Sequence, residues 1–270
     1  MHVRLFAAAT TMILGGLGCG DSTTASTAGT RVVLRTAITA DPTARTRFTT
    51  NFGWKVTLER AALGVGALYY FNGTPAFTQI RPSLLQQVGR FFEGTAHAHP
   101  GHYQPGDALG QMLTPSSFDL LAGERGTLPD GDGVSGTFRS ARFVFAQTAT
   151  GPAAGELGGH VAYARGVAEK ADGTTPTPIH FELSADYADV AKQAVSGQVD
   201  GCVFAEADVS TDGTVTLMVS PSVWLNVVDF SAVAPGSSDS PTSVAVTEKA
   251  GIGFVSGLTQ LDAYAFSYAP

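Results

Sequence analysis

Cysteine is nearly missing from this chain: Cys19 and Cys202 are the only two in 270 residues. A framework of disulfides, the usual support of small secreted domains, is therefore excluded. Charge is scarce as well. Only 14% of the residues are charged, with 23 acidic against 16 basic and a formal net charge of -7. That balance argues against nucleic acid or an anionic membrane surface as a partner. There is no Gly-x-Ser-x-Gly elbow, phosphate loop or His-Glu-x-x-His helix, and the carboxylates are too scattered to argue a glycosidase pair. The apolar run at 5–17 is too short to span a bilayer as a mature helix. What is plentiful is apolar residues, 44% of the chain, together with Gly 32 and Pro 14. This composition buries a core and divides the chain into many short strands and turns.

The N-terminus reads as an export signal. His2 and Arg4 open it, an apolar stretch follows, and Gly16-Leu17-Gly18-Cys19 closes it. The closing residues resemble the bacterial lipobox, which implies lipidation at Cys19 and anchoring to a membrane. With Gly20 rather than Asp after the cysteine, the same resemblance implies sorting to the outer membrane, facing the periplasm or the cell surface. Plain secretory cleavage nearby is the alternative. Residues 1–18 are thus expected to be removed, 19–30 to form a Ser/Thr-rich tether, and 31–270 to fold as one domain. With Cys19 lipidated, Cys202 has no partner and is either a small buried apolar residue or a soft metal ligand.

The fold class expected is mainly β, a single antiparallel β-sandwich with long loops and two or three short helices. Residues 31–39, 54–59, 63–71, 117–121, 137–146, 160–168 and 179–183 read as strands. Trp54-Lys-Val-Thr-Leu-Glu59 and Ile179-His-Phe-Glu-Leu183 alternate with the period of half-buried strands. Residues 201–208 and 214–219 are expected to pair as a hairpin around Thr211-Asp-Gly213, and 263–268 is strand-like. Helices are expected over 81–92, 186–196 and 221–230; in the last, Trp224 docks into the core. Pro129-Asp-Gly-Asp-Gly133 reads as a tight turn and 94–116 as a largely irregular loop.

That loop carries the chemistry. Of six histidines in the chain, His97, His99 and His102 fall in Thr95-Ala-His-Ala-His-Pro-Gly-His-Tyr103. Pro100 pushes His99 into an extended conformation, so His97 and His99 share a face. Pro100-Gly101 can turn the chain and return His102 toward them. Three neutral imidazoles suit copper or zinc, with metal–nitrogen distances of about 2.0–2.1 Å. A fourth ligand stays open among Asp107, Met112, His160, His180 and Cys202. Met112 or Cys202 favours copper(I), and Asp107 or water favours zinc. The plainer alternative is that the histidines are solvated or brace neighbouring turns.

Two resemblances follow. His-Ala-His-Pro-Gly-His resembles the metallo-β-lactamase-type His-x-His-x-Asp-His signature, but Gly101 stands where the Asp belongs and the long alternating helices of that fold are missing. In layout, the lipobox at Cys19, the Ser/Thr tether, the β-rich domain and His97, His99 and His102 resemble periplasmic copper-binding lipoproteins of the MbnP-like type, although the several cysteines of some relatives are absent. That resemblance implies metal capture, or handover to a membrane metal transporter or a partner enzyme; an outer-membrane receptor is a further candidate partner. The competing expectations are a non-enzymatic adhesion, carbohydrate-binding or assembly lipoprotein, and a metal-dependent hydrolase.

Overall fold

Strand β3 (Trp54–Phe71) runs without interruption through the two stretches expected as separate strands. The computed structural model describes residues 29–76, 103–170, 172–173 and 177–270. Of the expected elements, the helix over 81–92 therefore lies outside the described residues. The first half of β3 alternates, burying Trp54, Val56 and Leu58. A register shift between Leu58 and Arg60 follows, and Ala61 to Val65 are buried on both faces. They are buried because helix α1 (Ala154–Leu157) covers the outer face, setting Leu157 and Ala153 against Ala62.

β3 also changes partners along its length. Residues Trp54–Leu63 pair with β8 (Ala162–Lys170), and Val65–Phe71 pair with β7 (Gly136–Phe145). On its other edge lie β5 (Ser116–Asp119) and then β4 (Ala108–Met112). The order continues through β6 (Gly126–Val134), β1 (Arg31–Ala40), β11 (Gly213–Val219), β13 (Tyr264–Ala269) and β10 (Gln198–Val209) back to β7. Because β7 pairs with β3, these eight strands form a closed ring.

The protein is mainly β, with 48% of residues in strands and 19% in helices. The sheet differs from the expected antiparallel sandwich in being single and mixed. β1 with β11, β10 with β13, and β9 (Ile179–Ala185) with β12 (Thr242–Val244) are parallel pairs. β8, β9 and β12 continue the first half of β3 outside the ring, and β2 (Phe48–Thr49) pairs at its start.

Aromatic side chains fill the ring. Tyr70 stacks on Phe138 at 5.9 Å and meets Phe204 and Phe266 edge-on at 5.8 and 6.0 Å. Toward the other end Phe143 stacks on Tyr264 at 4.1 Å, with Phe145 edge-on at 4.9 Å. Eight strands enclose an interior only wide enough for side chains, so this is a core and not a lumen. The outer wall carries Arg35, Asp130, Asp132, Arg139 and Glu206, all exposed. Charges at these positions break the apolar band that a membrane-spanning barrel requires.

Several local expectations change for physical reasons. Pro129-Asp-Gly-Asp-Gly133 is part of β6 and not a turn. Its aspartates face water, while a Cβ at Gly131 would meet Gln111 O at 2.4 Å and one at Gly133 would meet Leu109 O at 2.7 Å. Pro129 is tolerated because it falls at the register shift opposite Arg35. β10 and β11 do not pair as a hairpin, since β13 lies between them. The supposed loop 94–116 contains β4 and the start of β5. Helices α2 (Tyr187–Gln193) and α3 (Pro221–Asn226) form as expected, with Trp224 fully buried, whereas helix α4 (Lys249–Leu258) was not foreseen. Four α-helices are thus present among the described residues.

One polar contact joins these parts. Asp229 accepts hydrogen bonds from Lys249 Nζ of α4 (2.7 Å), the Ser231 amide (3.0 Å) and Trp54 Nε1 of β3 (3.4 Å). Burial alone would raise its pKa, but these donors outweigh burial and hold the carboxyl down at about 2. A depressed folded-state pKa contributes stability that is present above the unfolded value near 3.9 and is lost as the pH falls through about 2. Asp229→Asn is expected to lower unfolding stability by about 2 kcal/mol at neutral pH. In urea melts at a series of pH values, its difference from the wild type should shrink from about pH 5 downward and vanish only below about pH 2.

Candidate functional site

His97, His99 and His102 lie outside the described residues, within the segment 77–102. The structure does describe the chain on either side of that segment. The incoming stem follows β3 and ends at Ala76; the outgoing stem begins at Tyr103 and runs into β4. The two stems are joined to each other. The Asn72 amide donates to Asp107 O (3.2 Å), the Gly73 amide to Pro105 O (2.8 Å), and the Asp107 amide to Asn72 Oδ1 (2.8 Å). Asn72 Nδ2 donates to Asp107 Oδ2 at 3.2 Å, so this carboxylate already serves the stem junction.

Both stems also dock on one place on the outer wall. The Ala76 amide donates to Gly201 O at 3.2 Å, and Tyr103 Oη shares a 2.7 Å hydrogen bond with Ser140 Oγ of β7. Gly201 has φ +79° and lies in β10, where the ladder to β7 shifts register between Asp200 and Cys202. A Cβ there would sit 2.6 Å from the Ala76 Cβ and 3.3 Å from the Tyr103 ring. Only glycine suits both the left-handed backbone and the close approach.

The wall beneath is polar and aromatic. Arg142 of β7 pairs with Asp200 and stands 5.9 Å over the Tyr69 ring and 5.7 Å over the Phe71 ring. Burial raises the Tyr103 pKa above its ordinary value, with the Asp200 and Cys202 charges adding to this. The Ser140 bond and Arg142 oppose it. Tyr103 therefore stays a neutral phenol that anchors the chain directly after His102.

The remaining candidates are spread through the fold. Met112, opposite Leu68, and Cys202 are both fully buried. The Cys202 thiol donates to Val199 O at 3.3 Å, and burial pushes its pKa up to about 12. As a ligand, either sulfur would have to leave the core. His160 Nδ1 lies 2.6 Å from Asp186 Oδ1 on the outer layer. This contact takes up the Asp186 carboxylate, which makes no capping bond to α2 although Asp186 is its N-cap residue. His180 of β9 is half-buried, and its buried Nδ1 has no hydrogen-bond partner among the described residues. No group of three or more His, Cys, Asp or Glu among the described residues is arranged to hold a metal.

Sequence reasoning missed Ala76, Tyr103, Ser140 and Gly201 as the docking residues. One signal was available for Gly201, a glycine within the strand-like stretch Val199-Asp-Gly-Cys-Val-Phe204, where glycine marks a bulge or a close backbone approach. Comparison with family models, curated proteins and solved structures returned no match.

The burial and raised pKa of Cys202 have a direct consequence. The native protein is expected to leave its thiol unmodified by a disulfide reagent at pH 8 over hours, with full reaction after unfolding in guanidinium. Rapid labelling of the native state would mean that the core opens at β10.

Proposed function

We propose that this chain is a lipid-anchored protein of the periplasm or cell surface that binds copper or zinc through His97, His99 and His102, for uptake, storage or delivery. The anchor is Cys19, and the partner for handover is a metal transporter or an outer-membrane receptor. The reading is non-enzymatic. Its primary support is the sequence itself, three imidazoles within six positions, with Pro100 and Gly101 among them, residue types that favour an extended chain and a turn.

The fold supplies one supporting observation. The segment carrying these histidines leaves the ring at Ala76 and returns at Tyr103, both fixed at Gly201 and Ser140 on one wall. A loop whose ends are held together loses less conformational freedom when it closes on an ion than one whose ends are free. The filled interior of the ring directs ligand chemistry to the outside. Binding requires neutral imidazoles, so metal is held at neutral pH and released as the pH falls through the histidine range near 6.5.

The test is elemental analysis of the untagged mature chain after exposure to copper or zinc and desalting, beside a His97/His99/His102→Ala variant. The wild type is expected to retain about one ion per chain and the variant none; equal retention overturns the reading. Gly201→Val keeps every histidine but forces the docking residues apart. It is expected to weaken metal affinity by about tenfold, the scale seen when groups supporting a metal's ligands are lost.

A further inference from the structure

A second, separate feature lies around the far end of β1, where a cavity of about 530 Å³ opens between the 120–125 loop and β11. Its lining includes Arg45, Arg125, Thr39, Thr216, Glu124 and Pro42. The loop is tied down at several points. Arg45 Nη2 donates to Leu120 O at 3.1 Å and to Gly123 O, and the Thr39 hydroxyl donates to Glu124 O at 2.5 Å. Asp119 Oδ1 accepts the Leu121 and Ala122 amides at 2.9 and 3.2 Å. The cavity's rim is thereby set before any ligand arrives.

The arginines are unusual for this protein. Arg31, Arg47, Arg60, Arg139, Arg142 and Arg165 each reach a carboxylate within 4 Å. Among the described residues only Arg35, Arg45 and Arg125 do not, and two of these three line the cavity. In a chain of net charge -7, carboxylates are not in short supply. Arg45 spends Nη2 on the loop carbonyls and keeps Nε and Nη1. Arg125 Nη2 donates to Thr216 Oγ1 at 3.3 Å, which leaves the Thr216 hydroxyl proton directed elsewhere. Two guanidinium edges and a hydroxyl donor therefore share one cavity.

We infer that this cavity binds the carboxylate or phosphate group of a small polar ligand, with Arg125 and Arg45 as the charged donors and Thr216 as a neutral one. Guanidinium groups match both oxyanions in geometry and form the stronger, charge-assisted class of hydrogen bond. The cavity has the size of a small-molecule site, and Pro42 offers an apolar surface for the body of the ligand. Glu124 at the rim favours ligands of low charge over densely charged polyanions.

The test is calorimetric titration of the mature chain at low ionic strength with glucuronate, glucose 6-phosphate and neutral glucose. Saturable binding of one or both charged sugars without glucose binding is expected, and the better of the two identifies the oxyanion. Arg125→Gln is expected to weaken that binding by about tenfold or more, because its side chain holds no loop carbonyl. Arg35→Gln is the control. It removes an equally unpaired arginine from the outer face of the same β1 strand, and it should leave binding within about twofold. The inference fails if neither charged sugar binds, if glucose binds as tightly, or if Arg35→Gln costs as much as Arg125→Gln. Folding of both variants is checked by their unfolding midpoints.

Discussion

Closure of the ring depends on the pairing of Val65–Phe71 with β7. Without it, the strand order would run as an open sheet from β12 to β7 and leave β7 as an exposed edge. An open edge invites association with other chains. With it, eight strands enclose the Tyr70, Phe138, Phe204 and Phe266 cluster and the Phe143–Tyr264 stack. β3 can take part because it is long enough to have two sets of partners. Its first half belongs to the outer layer with β8, its second half to the ring.

A ring filled by its own aromatic side chains has consequences for function. Chemistry must be carried on the outer wall or at the ends, where side chains meet water. Two regions of the wall carry the groups for which binding is proposed. On one side, Gly201 and Ser140 receive both stems of the histidine segment above the Arg142–Asp200 pair. On another, Arg45 and Arg125 face a cavity behind a tightly held loop. The interior also isolates the sulfur atoms. Met112 and Cys202 are packed among apolar neighbours, and a metal held by either would require part of the core to open.

The alternating stretches at 54–58 and 179–183 made the mainly-β class legible, because half-buried strands leave a direct trace in the order of residues. Pairing between distant strands leaves no such trace. β13 inserts between β10 and β11 from the far end of the chain, so a local reading joins the wrong partners. Helix α4 was hidden by Gly251, Gly253 and Gly257, which look like helix breakers. At Gly257 a Cβ would sit 2.1 Å from Trp224 O, so the glycine lets α4 lie directly on α3. The histidine cluster was legible as a pattern of residues. The docking of Ala76 on Gly201 and of Tyr103 on Ser140 was not, because these contacts join distant parts of the chain through backbone geometry. The arginine cavity had no sequence signature either, since Arg45 and Arg125 meet only through the fold.

The central claim is that metal chemistry in this protein belongs to imidazoles outside a sealed aromatic core. X-ray absorption spectroscopy of the zinc-loaded mature chain tests this most directly. The account predicts a first shell of nitrogen and oxygen at about 2.0–2.1 Å, with outer-shell scattering from three imidazole rings. A sulfur scatterer at about 2.3 Å would contradict it, because Cys202 reaches a metal only if the core opens.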